Sequence, residues 1–372
     1  MKKVNIYYLG LFMICLKNWE YISKLINFDN ILGKIINLII ILIFGFCIFN
    51  RKYNKKEILL ILVSGIVLLI NSLYIKEYIF FLDYLAILAS KNVKINNIIK
   101  FIFKFNVAII ISHFFITIFS ILLNINANTY ITNVDGVNRY NFYMRHTNYF
   151  AAVIFWTLGM YIFLNDDKSI IKKMIIICIT GIISYILTKS RTSLILYIAF
   201  ILLIIVNRQK RLKRIIPLVA RYSFIALSIV LSFITINFFN FKDEIYEVFL
   251  QLNKILSYRI VLGVVGYYNY GWTFLGQSIN YLEKINANEF YIDTLVVDSF
   301  YISCLINYGI IILVILTFGF YRISKKIDNK YLIFIILLII AAISERYIPY
   351  ICVTFPILFL KYAIFEKNAN EI

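Results

Sequence analysis

The sequence has little of what soluble or β-rich proteins need. Only 15% of its 372 residues are charged, and it holds 3 prolines and 13 glycines beside 62% hydrophobic residues. Soluble domains carry about a quarter charged residues, so this chain has too little polar surface to cover a water-soluble core. Its nearly continuous apolar runs also argue against a porin-like barrel, whose strands alternate apolar and polar positions. These absences predict an all-α protein of the membrane.

Histidine and cysteine are scarce as well. The chain has 2 histidines and 5 cysteines, and every cysteine lies inside an apolar run. There is no CxxC spacing, no P-loop, no Rossmann glycine pattern and no HExxH. We therefore expect no metal, no nucleotide or other cofactor and no disulfide framework, with the cysteines acting as small buried hydrophobes.

The net charge of +19 does not indicate a nucleic-acid partner. Its lysines and arginines stand in short clusters between apolar runs, which is the positive-inside pattern of a multi-pass membrane protein. Alternating the runs from a cytoplasmic N-terminus puts most of the basic residues on the inner side. About twelve spans are expected, at 4–22, 35–49, 58–75, 78–90, 101–123, 148–164, 170–188, 192–206, 215–238, 299–320, 331–345 and 348–364.

This topology makes 1–372 a single integral membrane domain with both termini in the cytoplasm. The abundance of Ile, Asn and Lys favours a bacterial source, and hence the bacterial plasma membrane. The topology leaves two long outer loops, 124–147 and 239–298. The second begins with an amphipathic helical pattern, because apolar residues recur at three- and four-residue steps. Two placements stay open, along the membrane interface or packed on the bundle. The residues of this pattern are Ile245, Val248, Phe249, Leu252, Ile255, Leu256 and Ile260.

Charged residues at the outer membrane edge need an explanation that the topology does not supply, since ionisable groups near lipid are costly and usually functional. One explanation is that these side chains snorkel to the membrane interface or form local ion pairs. Several arginines at one mouth of the bundle indicate instead a phosphate or pyrophosphate ligand, which the planar guanidinium grips with paired hydrogen bonds. The candidates are Arg139, Arg145, His146, Asn148, Lys189, Arg191, Arg259, Asp298, Glu345 and Arg346.

Four stretches in chain order resemble the O-antigen and capsular polysaccharide polymerases of the Wzy type, which are related to the O-antigen ligases. They are Arg139 to Asn148, with Thr147 in place of the usual proline; Lys189-Ser-Arg191-Thr-Ser193 at a helix start; Arg259 followed by Phe274-Leu-Gly276; and Asp298-Ser299-Phe-Tyr301 with Tyr308-Gly309-Ile310. The ligases carry histidine where this chain has Asp298, which favours the polymerases.

The resemblance implies a GT-C-like bundle that works without metal or nucleotide sugar. It would join oligosaccharide repeat units carried on undecaprenyl pyrophosphate at the outer face of the membrane, beside a flippase and a chain-length regulator. Arg191 and Arg259 would neutralise the leaving pyrophosphate, and Asp298 or His146 would accept the acceptor's proton. Arg139, Arg145 and Asn148 would orient sugars. A flippase for the same lipid-linked units and an O-antigen-type ligase remain alternatives.

Overall fold

The computed structural model describes residues 2–125, 129–134, 136–255, 258–279, 285–287, 290–292 and 296–365. It is built from helices, with two short hairpins. The helices are α1 (Lys2–Ile22), α2 (Asn30–Phe49), α3 (Lys55–Ile75), α4 (Ile79–Ala89), α5 (Ile95–Leu122), α6 (Thr147–Leu164), α7 (Ile170–Thr188), α8 (Arg191–Arg208), α9 (Ile216–Asn237), α10 (Asp243–Ile255), α11 (Arg259–Tyr270), α12 (Phe300–Ser303), α13 (Ile310–Ile323), α14 (Asn329–Ala341) and α15 (Lys361–Ile364). The antiparallel hairpins are β1 (Ile131–Val134) with β2 (Val137–Tyr140), and β3 (Ile285–Ala287) with β4 (Phe290–Ile292).

Seven helices in the described part of the chain are long and apolar enough to cross a bilayer, or eight if the bent pair α10–α11 is one span. They are α2, α3, α5, α6, α7, α8 and α9, the last with its 3-10 extension to Asn240. Most expose leucine, isoleucine and phenylalanine on their outer faces, which lipid rather than water satisfies. The molecule is thus an all-α membrane protein. Four shorter apolar helices have only 10–17 residues, and the count of twelve spans stays a prediction; they are α4, α13, α14 and 355–364.

The interior of the bundle is lined with aromatic rings. Helix α6 packs against α5, α7 and α8, and two thirds of its residues are buried. From it, Phe155 contacts Tyr197 of α8 with ring centroids 5.1 Å apart. Phe200 of α8 contacts Phe334 of α14 at 5.4 Å, and Phe334 contacts Phe355 at 5.2 Å. This cluster fixes the relative positions of α6, α8 and α14.

One end of the bundle, which we call the basic end, gathers loops that are rich in lysine and arginine. Asp166, between α6 and α7, forms ion pairs with Lys173 at 3.1 Å and with Lys330 at 3.3 Å. The Asn329 side chain donates to the Lys213 carbonyl at 2.7 Å. The loops before α7, α9 and α14 therefore meet at the same end, as the basic clusters predict. Which side of the membrane this end faces stays a prediction.

The predicted span 348–364 is wrong in its first half. Helix α14 ends at Ala341, residues 342–354 are irregular, and regular structure resumes as a 3-10 helix at Phe355–Leu360. Pro349 and Pro356 lack an N–H and push the residues before them out of the helical region. Irregular backbone inside a bundle needs other partners, and these are supplied by the side chains of Asn18, Asn106 and Thr354.

The same irregular segment overturns the prediction for two of the cysteines. Cys352 lies beside Cys15 of α1, and their sulfurs form a disulfide that joins residues 337 positions apart in sequence. Neither cysteine stands in a recognisable spacing motif. A disulfide between residues this far apart in sequence depends on the tertiary fold, so no local pattern predicts it. Cys47 and Cys304 are buried free thiols, as expected, whereas Cys178 is free and exposed.

The amphipathic pattern after residue 239 does form a helix. Ile245, Val248 and Leu252 of α10 are exposed, while Phe249 packs against the core. The helix therefore divides its apolar residues between an outward stripe and a packed side, and its placement along the membrane interface stays a prediction. Leu256, which belongs to the same pattern, lies outside the described residues. Helix α11 follows at an angle of 112° and is buried along Val261, Val264 and Val265.

Candidate functional site

Three helices begin side by side at the end of the bundle opposite the basic end, which we call the site end. They are α6, α8 and α11. Each start follows from its local sequence: the His146 ring caps α6 by accepting from the Asn148 N–H at 3.1 Å, the Ser190 hydroxyl caps α8, and Tyr258 in the left-handed region precedes α11. Helix starts expose unpaired N–H groups and the positive end of the helix dipole. Their convergence creates a place that favours negative charge.

Arg259, the first residue of α11, ties these helix starts together. Its Nη1 donates to the Thr192 hydroxyl of α8 at 2.8 Å. Its Nε donates to Asp298 at 3.2 Å and its Nη2 to Glu345 at 3.3 Å. Only 11% of the side chain is exposed. A cation at a helix start opposes the dipole, so the Asp298 carboxylate and the Glu345 carboxyl group are what make this buried position tenable.

Glu345 lies at the centre of the site, with 6% of its side chain exposed. Besides the bond from Arg259, it accepts hydrogen bonds from the Asn148 amide at 3.4 Å and from the Thr192 hydroxyl. Burial raises its pKa to about 8, against the lowering effect of Arg259, and the nearby Asp298 raises it further. A carboxyl group with that pKa exchanges a proton near neutral pH.

Asp298 and His146 stand at the open side of the network. Asp298 precedes α12 and keeps 32% of its side chain exposed while it holds Arg259. The His146 ring is at the surface, but the protein around it lowers its pKa by desolvation, and Arg259 and Arg139 lower it further against the effect of Asp298. Its imidazole is therefore neutral at pH 7. Since Nδ1 accepts the Asn148 N–H, the proton of the neutral ring sits on Nε2.

Arg191 opens α8 next to Thr192, the residue that contacts Arg259, so the two arginines that the sequence selects are close in space. Its side chain is exposed and has no hydrogen bond or ion pair to any described residue. Arg139, on β2, has a buried Nε without an acceptor in the described part of the chain, and it is near enough to lower the pKa of His146. These two guanidinium groups are the ones free to take a ligand.

Two predicted residues contribute less to this site. Arg145 donates from Nε to the Ser23 carbonyl at 3.3 Å, and thus joins the segment before α6 to the end of α1. Lys189 ends α7 in the left-handed region, with its ammonium 5.7 Å from the centre of the Tyr185 ring. Both lie near the helix starts in sequence, but the contacts that they make are structural.

Arg346 belongs to a neighbouring cluster that sequence reasoning missed in part. It donates a hydrogen bond to the Tyr149 hydroxyl and lowers the pKa of Glu77, which burial raises. Glu77 accepts a further hydrogen bond from Tyr308. Glu77 stands in the short link between α3 and α4, so it carries the same signal that selected Glu345-Arg346: an acid between two apolar runs. Thr192 carried no such signal, because a threonine at a helix start is commonplace.

Two of the stretches that carry the family resemblance pack directly on each other. Gly276 and Gly309 both have positive φ, +92° and +90°, and a Cβ on Gly309 would lie 2.5 Å from the Gly276 nitrogen. The Asn71 side chain spans the contact by donating to the carbonyls of Leu275 and Tyr308 at 2.7 and 2.6 Å. This backbone contact holds Tyr308, and through it Glu77, at the edge of the site.

The structure thus brings Arg259, Asp298, Glu345, Asn148 and His146 into one network, with Arg191 and Arg139 at its border. Within the described ranges, no three histidine, cysteine, aspartate or glutamate side chains are grouped closely enough to hold a metal ion. Chemically, the arrangement offers free guanidinium groups, helix N-termini and two carboxyl groups that share one arginine. Comparisons with protein-family models, with curated proteins and with solved structures find no match to this chain.

Proposed function

We propose that this protein is a metal-independent glycosyltransferase that polymerises oligosaccharide repeat units carried on undecaprenyl pyrophosphate, at the outer face of the cytoplasmic membrane. One observation carries the proposal: three helix starts converge on Arg259 and Glu345, beside Arg191, whose guanidinium has no partner among the described residues. Such a site, at one end of a lipid-embedded bundle, suits a ligand with a pyrophosphate head and an apolar tail.

In the proposed step, a sugar hydroxyl of the next lipid-linked unit attacks the anomeric carbon of the growing chain. The bond from that carbon to the pyrophosphate oxygen breaks, and undecaprenyl pyrophosphate leaves with the electron pair. Arg191 and the N–H groups at the starts of α8 and α11 stabilise the charge that develops on the leaving group. Stabilisation of this kind is usually the largest contribution that an enzyme makes.

Asp298 is the group that fits proton acceptance best. It is the more exposed of the two carboxylates that hold Arg259. A pyrophosphate that takes over the Arg259 guanidinium would release Asp298 to accept the proton of the attacking hydroxyl. His146 fits this role poorly, because its Nδ1 is already occupied by the Asn148 N–H; its Nε2–H is placed to donate to a sugar or phosphate oxygen instead.

The experiment that tests the proposal is glycan analysis of cells carrying Arg191→Ala. We expect polymer to disappear and single lipid-linked repeats to accumulate, with the protein still present in the membrane. Arg191→Lys should restore little polymer, because an ammonium lacks the paired donors of the guanidinium. Arg211→Ala, at the basic end, is the matched control and should leave chain length unchanged. Normal polymer in the Arg191→Ala strain would remove this site from the reaction.

A flippase is the second candidate, and one observation favours it. The irregular, buried segment 342–354 is the type of interrupted helix that transporters use to line substrate sites near the bilayer centre. The charged network, however, is gathered at one end of the bundle. Sidedness separates the two functions: without a flippase, single units stay on the cytoplasmic leaflet, whereas without a polymerase they accumulate outside.

A further inference from the structure

The basic end holds a cavity that is remote from the candidate site. Its volume is about 680 Å³, and it lies between the ends of α6, α7, α8 and α14, beside Asn96 of α5. Its inner part is apolar and reaches into the bundle, where it is lined by Ile162, Phe163, Phe200, Ile204 and Phe334. We call these five residues the apolar floor of the cavity. A cavity that only holds water has no need of apolar side chains at this position. Hydrocarbon is what this surface accommodates without cost.

The rim of the same cavity is charged. It carries the cations of Lys168, Lys173, Arg208 and Lys330 and the carboxylates of Asp166 and Asp167. The cations outnumber the carboxylates, so the rim is positive. The starts of α7 and α14 are also at this rim, and they add the positive ends of two helix dipoles.

The ion pairs of the rim are arranged in a way that leaves positive charge available. Asp166 alone holds two of the cations, Lys173 at 3.1 Å and Lys330 at 3.3 Å. Lys168 donates to the Tyr161 hydroxyl at 2.7 Å, a neutral partner that leaves its charge uncompensated. Arg208, the last residue of α8, is exposed and forms no ion pair with a described residue. An anion at this rim would meet Arg208, Lys168 and Lys330 together.

We propose that this cavity binds an anionic phospholipid, with the phosphate at the rim and the first part of an acyl chain against the apolar floor. A free phosphate would use the rim but not the floor. An acidic protein segment would need a polar surface where the floor is hydrocarbon. Basic pockets between membrane helices are recognised binding places for the headgroups of acidic lipids, and the amphipathic lining here matches one such lipid.

Native mass spectrometry of the detergent-solubilised full chain tests this directly. Phosphatidylglycerol should remain bound, and phosphatidylcholine at the same concentration should bind at least several-fold more weakly. The double variant Arg208→Gln/Lys330→Gln should lose phosphatidylglycerol about tenfold or more, since each cation near an acidic headgroup contributes appreciably. Lys210→Gln/Arg211→Gln removes the same charge from the same end outside the cavity, and should bind like the unmodified protein.

A third variant separates a lipid from a free anion. Ile204→Trp fills the floor and leaves every charge in place, so it should weaken phosphatidylglycerol binding, and millimolar inorganic phosphate should fail to displace the lipid from the unmodified protein. Equal loss of binding in both double variants would overturn the proposal, because the attraction would then be a property of the whole basic end. So would displacement by phosphate, or phosphatidylcholine binding as tightly as phosphatidylglycerol. Size-exclusion profiles and melting temperatures establish that each variant is folded.

Discussion

Arg259 at the site end and Lys330 at the basic end carry their charges in opposite ways. At the site end, Arg259 and Glu345 are 11% and 6% exposed and are joined through Thr192 and Asn148 into one network. At the basic end, Lys330 and Asp166 are 42% and 55% exposed and touch at 3.3 Å, and Asp166 also holds the buried Lys173. The first arrangement is expensive to build, since each buried charge must be desolvated. The second costs little and contributes little.

This difference shows which charges the chain holds for a purpose other than orientation. The positive-inside rule predicts basic residues at one end and does not depend on their exact positions within the loops. A buried arginine held by two carboxyl groups is weak evidence for stability, because well-packed apolar residues do as well or better. Its presence at three helix starts therefore indicates a functional site, and the predictions below test this contrast.

The largest effect is expected when Arg259 is removed. Arg259→Ala leaves Glu345 and Asp298 facing each other without a cation, and should lower the free energy of unfolding by about 3–5 kcal/mol. The measurement is the unfolding of the detergent-solubilised protein by denaturant. Arg259→Lys keeps the charge but loses the contacts to three partners, so its free energy of unfolding should lie between those of Arg259→Ala and the unmodified protein. An Arg259→Ala protein as stable as the unmodified one would show that the network is a surface pair like that of Lys330.

A smaller but still large effect is expected at Gly309. Gly309→Ala places a Cβ 2.5 Å from the backbone of Gly276 at a φ of +90°, and should cost about 3 kcal/mol, because strain of this type costs about 1–3 kcal/mol before the clash is added. The matched control is Gly136→Ala, which has a φ of +75° and no atom within 4 Å of the new Cβ. Similar losses in both variants would mean that the contact between the two glycine segments is unimportant.

The next prediction concerns pH and the sign of its effect. Burial raises the pKa of Glu345 from 4.5 to about 8, so between these values the folded protein binds a proton that the unfolded chain has lost. The stability that this contributes is present below the unfolded pKa and is lost as the pH rises through the folded pKa. We expect a decline of about 4 kcal/mol between about pH 5 and about pH 9, because one unit of pKa shift corresponds to about 1.4 kcal/mol, and denaturant unfolding measures it. Glu345→Gln should flatten it; a slope of equal size in that variant would assign the effect to another group.

Much of this fold follows from sequence alone, and the reason is the solvent. In lipid, every backbone group must be satisfied within its own helix, so a long apolar run leaves few alternatives. The starts of α6 and α8 are also indicated by His146 and by Ser190-Arg191, whereas the start of α11 is not, because the predicted amphipathic pattern continues past Arg259 to Ile260. That Arg259, Asp298 and Glu345 would share a site is an expectation of the arginine argument, and the structure places the three together.

The rest depends on contacts that no local pattern encodes. The segment 342–354 has the composition of a span, and its irregular course is stable only because Asn18 and Asn106 reach it from far away in sequence. At the start of α8 the sequence draws attention to Arg191, yet Thr192 makes the bond to Arg259. Successive residues point about 100° apart around a helix, so Arg191 and Thr192 face different directions although they are neighbours in sequence.

The smallest effect is expected at the basic end, where it completes the contrast. Lys330→Ala removes one partner of Asp166, and Lys173 stays in place at 3.1 Å. The loss in unfolding free energy should be below about 1 kcal/mol and should shrink further at high salt, because exposed pairs are screened. Burial alone would raise the pKa of Asp166, but Lys173 and Lys330 lower it below its usual value. The stability that Asp166 contributes is therefore lost as the pH falls through the acid range, which is opposite in sign to the effect of Glu345. A salt-insensitive loss of several kcal/mol at Lys330 would make the two ends alike, and the site end would no longer be distinguished by its charges.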